Sequence, residues 1–330
     1  MAEATVFQQL AEAIGAADSV MVPKIIEALV DEKEVGLVMA ASPPATIEEL
    51  AEKTGLPAAE IEGMVDSLFK KGLIFKSKKP DATRYYRVRH LLQFHDATIL
   101  APDAKEEFFD LWREYHKNEF KADHAKIEAM LPNSVVRVIP VNVALEPDTR
   151  IAPFEDVKQI VAEARNLAVT PCTCRVVEGD CGKSIDVCIQ INKAADYALE
   201  RGSGRTLSKD EAIEMLKQCE EEGLVHTVGN SRGLGHIICN CCEDCCINWP
   251  GPRKPGVNFA APSRFTAVVD EDLCTACEEC LDRCYFDAIA VDDIAEIDEE
   301  KCMGCGLCAV TCSVEAISLK EIREEEFVPE

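Results

Sequence analysis

The run Cys274-Thr-Ala-Cys277-Glu-Glu-Cys280-Leu-Asp-Arg-Cys284 is repeated 28 residues later as Cys302-Met-Gly-Cys305-Gly-Leu-Cys308-Ala-Val-Thr-Cys312. Both runs read C-x2-C-x2-C-x3-C. The similarity extends beyond the thiols, because Val269-Asp270-Glu271 precedes the first run where Ile297-Asp298-Glu299 precedes the second. The sequence therefore contains an internal duplication, with a metal-ligand pattern in each half.

This spacing suits an iron–sulfur cubane. A compact C-x2-C-x2-C loop can place three thiolates on three irons while its amides stay free to hydrogen-bond the sulfides. Residues 264 to 320 resemble a bacterial-type ferredoxin with two [4Fe-4S] clusters, and this resemblance implies that the fourth cysteine of each run ligates the cluster of the other run. The implied ligand sets are Cys274, Cys277, Cys280 and Cys312 for one cluster, and Cys302, Cys305, Cys308 and Cys284 for the other.

The pattern departs from that family at one point. Proline usually follows each fourth cysteine, whereas Tyr285 and Ser313 stand there in this chain. The change alters the local backbone but removes no ligand. A zinc site or a disulfide staple is the competing interpretation, but zinc does not need ligands that cross between repeats.

Composition narrows the class of protein. The 330 residues allow two to four domains, and 18 cysteines without a recognisable secretory signal indicate metal binding rather than a disulfide framework. No stretch approaches the length of apolar sequence that a membrane span needs. We therefore expect a cytoplasmic protein, of an anaerobe or microaerophile.

The net charge of −25 is concentrated at the C-terminus. From residue 266 onward there are 19 acidic and 4 basic residues, a net charge of −15 before thiolates and clusters are counted. Such a surface repels nucleic acid and anionic membranes, and it steers encounters with a redox protein that carries a basic docking patch.

Residues 1–90 show a different pattern. Thr46-Ile-Glu-Glu49 predicts a capping box, residues 57–69 predict an amphipathic helix, and Leu73–Lys76 with Arg84–Arg87 predicts a β-hairpin. This order of elements resembles a winged helix-turn-helix domain. The predicted third helix is acidic on its outer face, whereas the hairpin is basic. We favour a role in protein interaction or dimerisation over specific DNA recognition. The basic residues of the hairpin and its flanks are Lys76, Lys78, Lys79, Arg84, Arg87 and Arg89.

A connector, residues 91–165, leads to a Cys-rich domain over residues 166–256. The connector contains an aromatic amphipathic helix over 103–125, and beyond it a strand at 135–143, a helix at 154–166 and a strand at 167–170 form a strand–helix–strand pattern. The run Trp249–Gly256 predicts a stiff linker before the ferredoxin-like domain, residues 264–330.

Nine cysteines of the middle domain fall into two sequence groups. They are Cys172, Cys174, Cys181 and Cys188 in the first group, and Cys239, Cys241, Cys242, Cys245 and Cys246 in the second. This density predicts a metal site, and we expect a third iron–sulfur cluster, with enough thiols for a fourth. A structural zinc site and redox-active thiols remain open alternatives. Cys219 lies on the apolar stripe of a predicted helix and is interpreted as a core residue.

The motifs Pro171-Cys-Thr-Cys-Arg175, Gly223-Leu-Val-His226 and Ile238-Cys-Asn-Cys-Cys242 are similar to those of poorly characterised multidomain iron–sulfur proteins of anaerobic bacteria and archaea. The overall prediction is an α+β multidomain protein with a winged-helix-like N-terminal domain, a central α/β Cys-rich domain and a C-terminal ferredoxin-like domain.

The functional prediction is an iron–sulfur electron-transfer protein that acts as a subunit or partner of an anaerobic oxidoreductase. Residues 202–204 lack the spacing of a nucleotide-binding loop, so substrate chemistry of its own is not indicated. A redox-responsive DNA-binding regulator is the alternative, and an open coordination site on a middle cluster would make the protein an enzyme. A homo-oligomer or a larger complex fits either function.

Overall fold

The computed structural model describes residues 4–102, 104–130, 133–146, 149, 151–179, 181–248 and 259–330. The chain forms two compact units. The first comprises Met1–Asp123 with Arg201–Ser203, and the second comprises His124–Glu200 with Gly204–Glu330. None of the described helices is both long enough and apolar enough to cross a membrane.

The first unit consists of helices and one hairpin. Its helices are α1 (Val6–Ala13), α2 (Met21–Leu29), α3 (Glu32–Ala40), α4 (Ile47–Thr54), α5 (Ala58–Lys70), α6 (Leu91–Thr98) and α7 (Glu106–Asn118). Strands β1 (Ile74–Lys78) and β2 (Thr83–Arg87) pair antiparallel, as predicted. The capping box predicted at Thr46 is also confirmed, since Thr46 and Glu49 each accept from the backbone N–H of the other.

The aromatic helix predicted over 103–125 is interrupted. It forms α7, and after Glu119 the chain continues as α8 (Phe120–Met130). The Glu119 carboxylate accepts from the backbone N–H groups of Val20 and Met21, at the start of α2. The Glu119 side chain therefore caps the N-terminus of α2, where the N-cap residue Val20 has no side-chain acceptor of its own. Trp112 of α7 is fully buried against Phe94.

The second unit contains a seven-stranded sheet with the order β6-β4-β5-β8-β7-β3-β9. Its strands are β3 (Val136–Val138), β4 (Leu167–Pro171), β5 (Asp186–Ile191), β6 (Arg205–Leu207), β7 (Val225–Gly229), β8 (Ile237–Cys241) and β9 (Ala260–Ala261). Helices α9 (Val157–Glu163), α10 (Thr173–Glu178), α11 (Lys193–Arg201) and α12 (Lys209–Glu221) lie between these strands in the chain.

The predicted strand–helix–strand elements are present as β3, α9 and β4, but the two strands are not neighbours. Strands β5, β8 and β7 lie between them, and every adjacent pair is antiparallel except β3 with β9. The central domain is therefore built on a mainly antiparallel sheet. The predicted linker at 249–256 lies outside the described residues. After that segment the chain adds β9 to the sheet before it enters the duplicated region.

The duplicated region forms two antiparallel pairs. Strand β10 (Phe265–Val269) pairs with β13 (Ile317–Glu321), and β11 (Ile289–Val291) pairs with β12 (Ala295–Ile297). A short helix, α13 (Leu307–Thr311), follows the glycine-containing loop of the second half. Strands β10 and β12 occupy equivalent positions in the two halves of the repeat, and so do β11 and β13. Each antiparallel pair therefore contains one strand from each half.

The repeat is also visible in the backbone. Positive φ angles recur at equivalent positions in the two halves, which are Ala276 with Gly304, Glu278 with Gly306, and Asp287 with Glu315. The cysteine loops thus share one conformation, although the first half reaches it with alanine and glutamate where the second uses glycine.

Candidate iron–sulfur centres

The first ligand set predicted from the repeat lies together. Cys274, Cys277, Cys280 and Cys312 line one cavity, and we call these four residues the outer set. Cys277 is exposed to solvent, whereas Cys280 is buried. Burial and the neighbouring thiols raise the pKa of Cys280, so a thiolate at this position gains from a bound metal.

The second predicted set also lies together. The thiols of Cys305 and Cys308 interact with those of Cys302 and Cys284, and we call these four residues the inner set. Burial raises the pKa of Cys305 to about 12. Soft thiolates that need metal stabilisation, held in a compact loop, are the donor set that a [4Fe-4S] cluster requires.

Backbone amides donate to the cysteine sulfurs symmetrically. The N–H groups of Ala288 and Ala316 donate to Cys284 and Cys312 of their own halves, at 3.4 and 3.2 Å. Two further amides cross between the halves, from Ala295 to Cys274 at 3.4 Å and from Ala267 to Cys302 at 3.5 Å. Such hydrogen bonds stabilise thiolate charge and raise the reduction potential of a cluster.

Comparison with protein families identifies this region. A family model described as a 4Fe-4S binding domain matches residues 267–290 and again residues 295–318. The chain is an iron–sulfur electron-transfer protein. No curated protein and no solved structure shows significant similarity to it. The family match lies in the C-terminal part of the chain and does not include the middle cysteines.

Six of the middle cysteines form a closed ring of thiol contacts, which we call the six-thiol ring. The contacts join Cys172 to Cys174 and Cys188, Cys246 to Cys174 and Cys241, and Cys239 to Cys188 and Cys241. Hydrogen bonds from Cys188 and Cys241 lower the pKa of Cys239 to about 6, which favours the thiolate that binds metal.

The sheet explains how distant cysteines meet in this ring. Strands β4, β5 and β8 are adjacent, and they place Cys172 after β4, Cys188 on β5 and Cys239 on β8. Residues two apart on a strand point to the same face, so Cys241 joins Cys239 while the side chain of Asn240 points to the other face. Cys246 returns to the ring from the turn after β8.

The remaining three cysteines form a separate group. The sulfur atoms of Cys181, Cys242 and Cys245 lie within 4.8 Å of one another, and we call these residues the three-thiol group. The six-thiol ring and the three-thiol group thus each contain cysteines from both of the groups defined by the sequence. Cys219 belongs to neither and is buried on α12, as the core-residue interpretation predicted.

A buried arginine lies between the two thiol groups. Arg175 of α10 interacts with Cys172 and Cys241 of the ring and with Cys242 of the three-thiol group. It is only 2 % exposed, and its guanidinium also donates to the backbone carbonyl of Asn240, at 2.8 Å. A cation in this position balances the negative charge of the thiolates. Arg175 directly follows the Cys-x-Cys motif, but the motif alone did not predict this role.

His226, the last residue of the Gly223-Leu-Val-His226 motif, contacts the strand that carries the ring cysteines. Its Nδ1 lies 2.6 Å from the Asn240 side-chain oxygen, and its Nε2 lies 3.3 Å from Glu220. Asn240 in turn donates to the Val187 carbonyl, at 2.5 Å. Both imidazole nitrogens therefore have side-chain partners, and the histidine fixes the strand that carries Cys239 and Cys241.

Tyr285, which follows Cys284 where the ferredoxin pattern usually has proline, makes a contact that proline could not make. The Tyr285 hydroxyl donates to the Gly223 carbonyl at 2.5 Å, and Arg283 donates to the Glu221 carbonyl at 2.9 Å. These bonds join the first cysteine run to the C-terminal end of α12. A proline at position 285 would lack both the aromatic ring and the hydroxyl that make the connection.

We expect Tyr285→Pro to lower the free energy of unfolding by about 1–3 kcal/mol, because it removes a half-buried ring and a hydrogen bond. Ser313→Pro is the matched control, since Ser313 is the equivalent, exposed residue of the second half. Urea unfolding of both proteins under anaerobic conditions measures the difference. Equal stabilities for the two variants would show that the connection contributes nothing.

Proposed function

We propose that this protein carries single electrons between a soluble redox partner and a third iron–sulfur cluster held by the six-thiol ring. One observation carries the proposal. A single continuous hydrophobic core contains Cys241 and Cys246 of the ring together with Cys302 and Cys308 of the inner set. We infer from this shared core that the inner set and the ring are successive stations of an electron path.

The exposure of the sites supports a direction for this path. The outer set contains the exposed Cys277, so it is the station that a partner can approach. The inner set adjoins the sheet, where the backbone N–H of Val141 donates to the Cys305 carbonyl at 2.9 Å. Electrons would therefore pass from the outer set to the inner set and then to the ring.

The surface around the outer set supports a basic partner. Glu278 and Glu279 lie inside its loop, and Asp272, Asp292 and Asp293 are exposed nearby in the chain. Such an arrangement attracts a protein with a basic docking patch, and it accelerates association at low salt. An anaerobic oxidoreductase that uses this chain as a subunit or partner fits this chemistry, and we propose a cytoplasmic location on the same grounds.

The iron content of anaerobically prepared protein tests the proposal. Three cubane clusters require about twelve irons and an equal amount of sulfide, with low-potential EPR signals after dithionite reduction. The double variant Cys239→Ser, Cys241→Ser should retain about eight irons. Cys219→Ser is the matched control, because it removes a buried thiol outside all the sets. Wild-type protein with eight irons or fewer would contradict a cluster in the ring.

Arg175 provides a second prediction for the same cluster. We expect Arg175→Gln to lower the midpoint potential of the ring cluster by at least about 60 mV, a tenfold change in the one-electron equilibrium. The reason is that a buried positive charge favours the more negative, reduced cluster. Arg175→Lys keeps the charge and should shift the potential less. Redox titration followed by EPR measures both shifts, and an unchanged potential in Arg175→Gln would exclude this electrostatic role.

For the first unit we propose a winged-helix-like domain that serves in protein interaction. The order α3, α4, α5, β1, β2 supports the fold, and the contacts of its cations favour interaction over DNA binding. Arg84 pairs with Asp81 at 2.8 Å, Arg87 donates to the carbonyl of Ala13 at 2.9 Å, and Lys71 pairs with Glu34 at 2.9 Å. These cations already have partners within the unit.

A redox-responsive regulator is the alternative function of this unit. It predicts that the holo-protein retards a promoter fragment at moderate salt and that oxidation changes the retardation. Absence of any retardation would remove this alternative, whereas the electron-transfer proposal would be unaffected.

A further inference from the structure

We infer that the three-thiol group binds one zinc ion and is a metal site separate from the six-thiol ring. The sulfur atoms of Cys181 and Cys242 are 3.9 Å apart, and the three sulfurs lie within 4.8 Å of one another. A Zn–S bond of about 2.3 Å gives a tetrahedral S–S edge of about 3.8 Å.

The local chain geometry separates this group from the ring. Strand β8 ends at Cys241, and residues 243–245 form a turn. Cys242 directly follows Cys241, so its side chain points away from the face that carries Cys239 and Cys241. Cys242-Glu-Asp-Cys245 then has the C-x2-C spacing that is typical of half a zinc site. Cys181 completes the group from the loop between α10 and β5.

Charge also favours a single divalent ion here. Three thiolates and Zn²⁺ carry a net charge of −1, and the buried cation of Arg175 interacts with Cys242. The other cysteines belong to the ring or the ferredoxin-type sets, apart from Cys219. We therefore assign the fourth position of the zinc to a nitrogen or oxygen ligand.

Such a site would fasten the loop before β5 to the turn after β8. These segments flank Cys188 on one side and Cys241 on the other, so the zinc would hold two parts of the ring in place without taking part in electron transfer. Zinc suits this task because it has no redox chemistry of its own.

The test compares metal contents of full-length protein purified anaerobically and treated with a chelator to remove loosely bound metal. We expect about one zinc per chain in the wild type. Cys181→Ser should lower zinc at least tenfold and leave iron unchanged, and Cys181→His should restore zinc because imidazole is also a zinc ligand. The ring variant Cys239→Ser, Cys241→Ser should lose iron and keep zinc, so failure of the ring cluster and failure of the zinc site are distinguishable.

X-ray absorption at the zinc edge provides the second readout. Three sulfurs at about 2.3 Å and one lighter atom are expected. The inference would be overturned if the wild-type protein contained no zinc or if its zinc spectrum showed four sulfurs. It would also be overturned if Cys181→Ser kept its zinc or lost about four irons.

Discussion

Glu155→Ala is expected to lower the free energy of unfolding of the second unit by about 3–5 kcal/mol, because it leaves buried positive charge without a partner. Glu155 is fully buried and accepts three hydrogen bonds from Arg264, at 3.0 and 3.1 Å from Nε and at 2.6 Å from Nη2. A second buried guanidinium, that of Arg137, lies 3.9 Å away. Arg264 retains Glu321 as a partner, but Arg137 would lose its carboxylate.

Urea unfolding of anaerobic protein, followed by circular dichroism, measures this effect. Glu106→Ala is the control. Glu106 also pairs with an arginine, Arg113, at 2.6 Å, but its side chain is 69 % exposed, so its loss should change stability by less than about 1 kcal/mol. Glu155→Gln keeps the shape of the side chain and two polar atoms. Its effect on the free energy of unfolding should lie between the effects of the two alanine variants. Equal effects for the two alanine variants would contradict the special role of the buried pair.

Gly304→Ala should prevent the inner set from binding its cluster, so that iron content falls by about four per chain. Gly304 has a φ of 63°, and a Cβ at this position would overlap the Phe265 carbonyl and the Ser263 hydroxyl. The left-handed conformation alone costs an alanine about 1–2 kcal/mol. The overlap adds to this cost, because Phe265 belongs to β10 and cannot move freely.

The duplication supplies a reciprocal control. Ala276, the equivalent residue of the first half, has a φ of 51°, so Ala276→Gly relieves strain and should leave iron content unchanged. Iron and sulfide analysis of the two variants tests both expectations. Normal iron in Gly304→Ala would show that the loop accommodates a side chain, and iron loss in Ala276→Gly would show that backbone conformation does not decide cluster binding.

Local sequence signals predicted the elements whose contacts are close in the chain. The capping box at Thr46, the hairpin of β1 and β2, and the two C-x2-C-x2-C loops all depend on residues within a few positions of each other. The repeat shows that the two halves are equivalent, and the resemblance to a bacterial-type ferredoxin implies the two ligand sets.

The arrangement of the middle cysteines could not be predicted in this way. Cys172 and Cys239 are 67 residues apart in the sequence, and they meet because β4, β5 and β8 are adjacent in the sheet. That strand order depends on packing over the whole unit. The sequence marked Tyr285 as a departure from the ferredoxin pattern, but its partner, the carbonyl of Gly223, carries no side-chain signal.

The bonds from Tyr285 and Arg264 have a kinetic consequence for the proposed electron path. They join the ferredoxin-type region to the sheet within one compact unit, so exchange between the inner set and the ring would be a first-order step. Its rate would not change on dilution, whereas delivery of electrons by a separate ferredoxin slows in proportion to concentration. Only the encounter at the outer set would remain second order, and salt would affect that encounter alone.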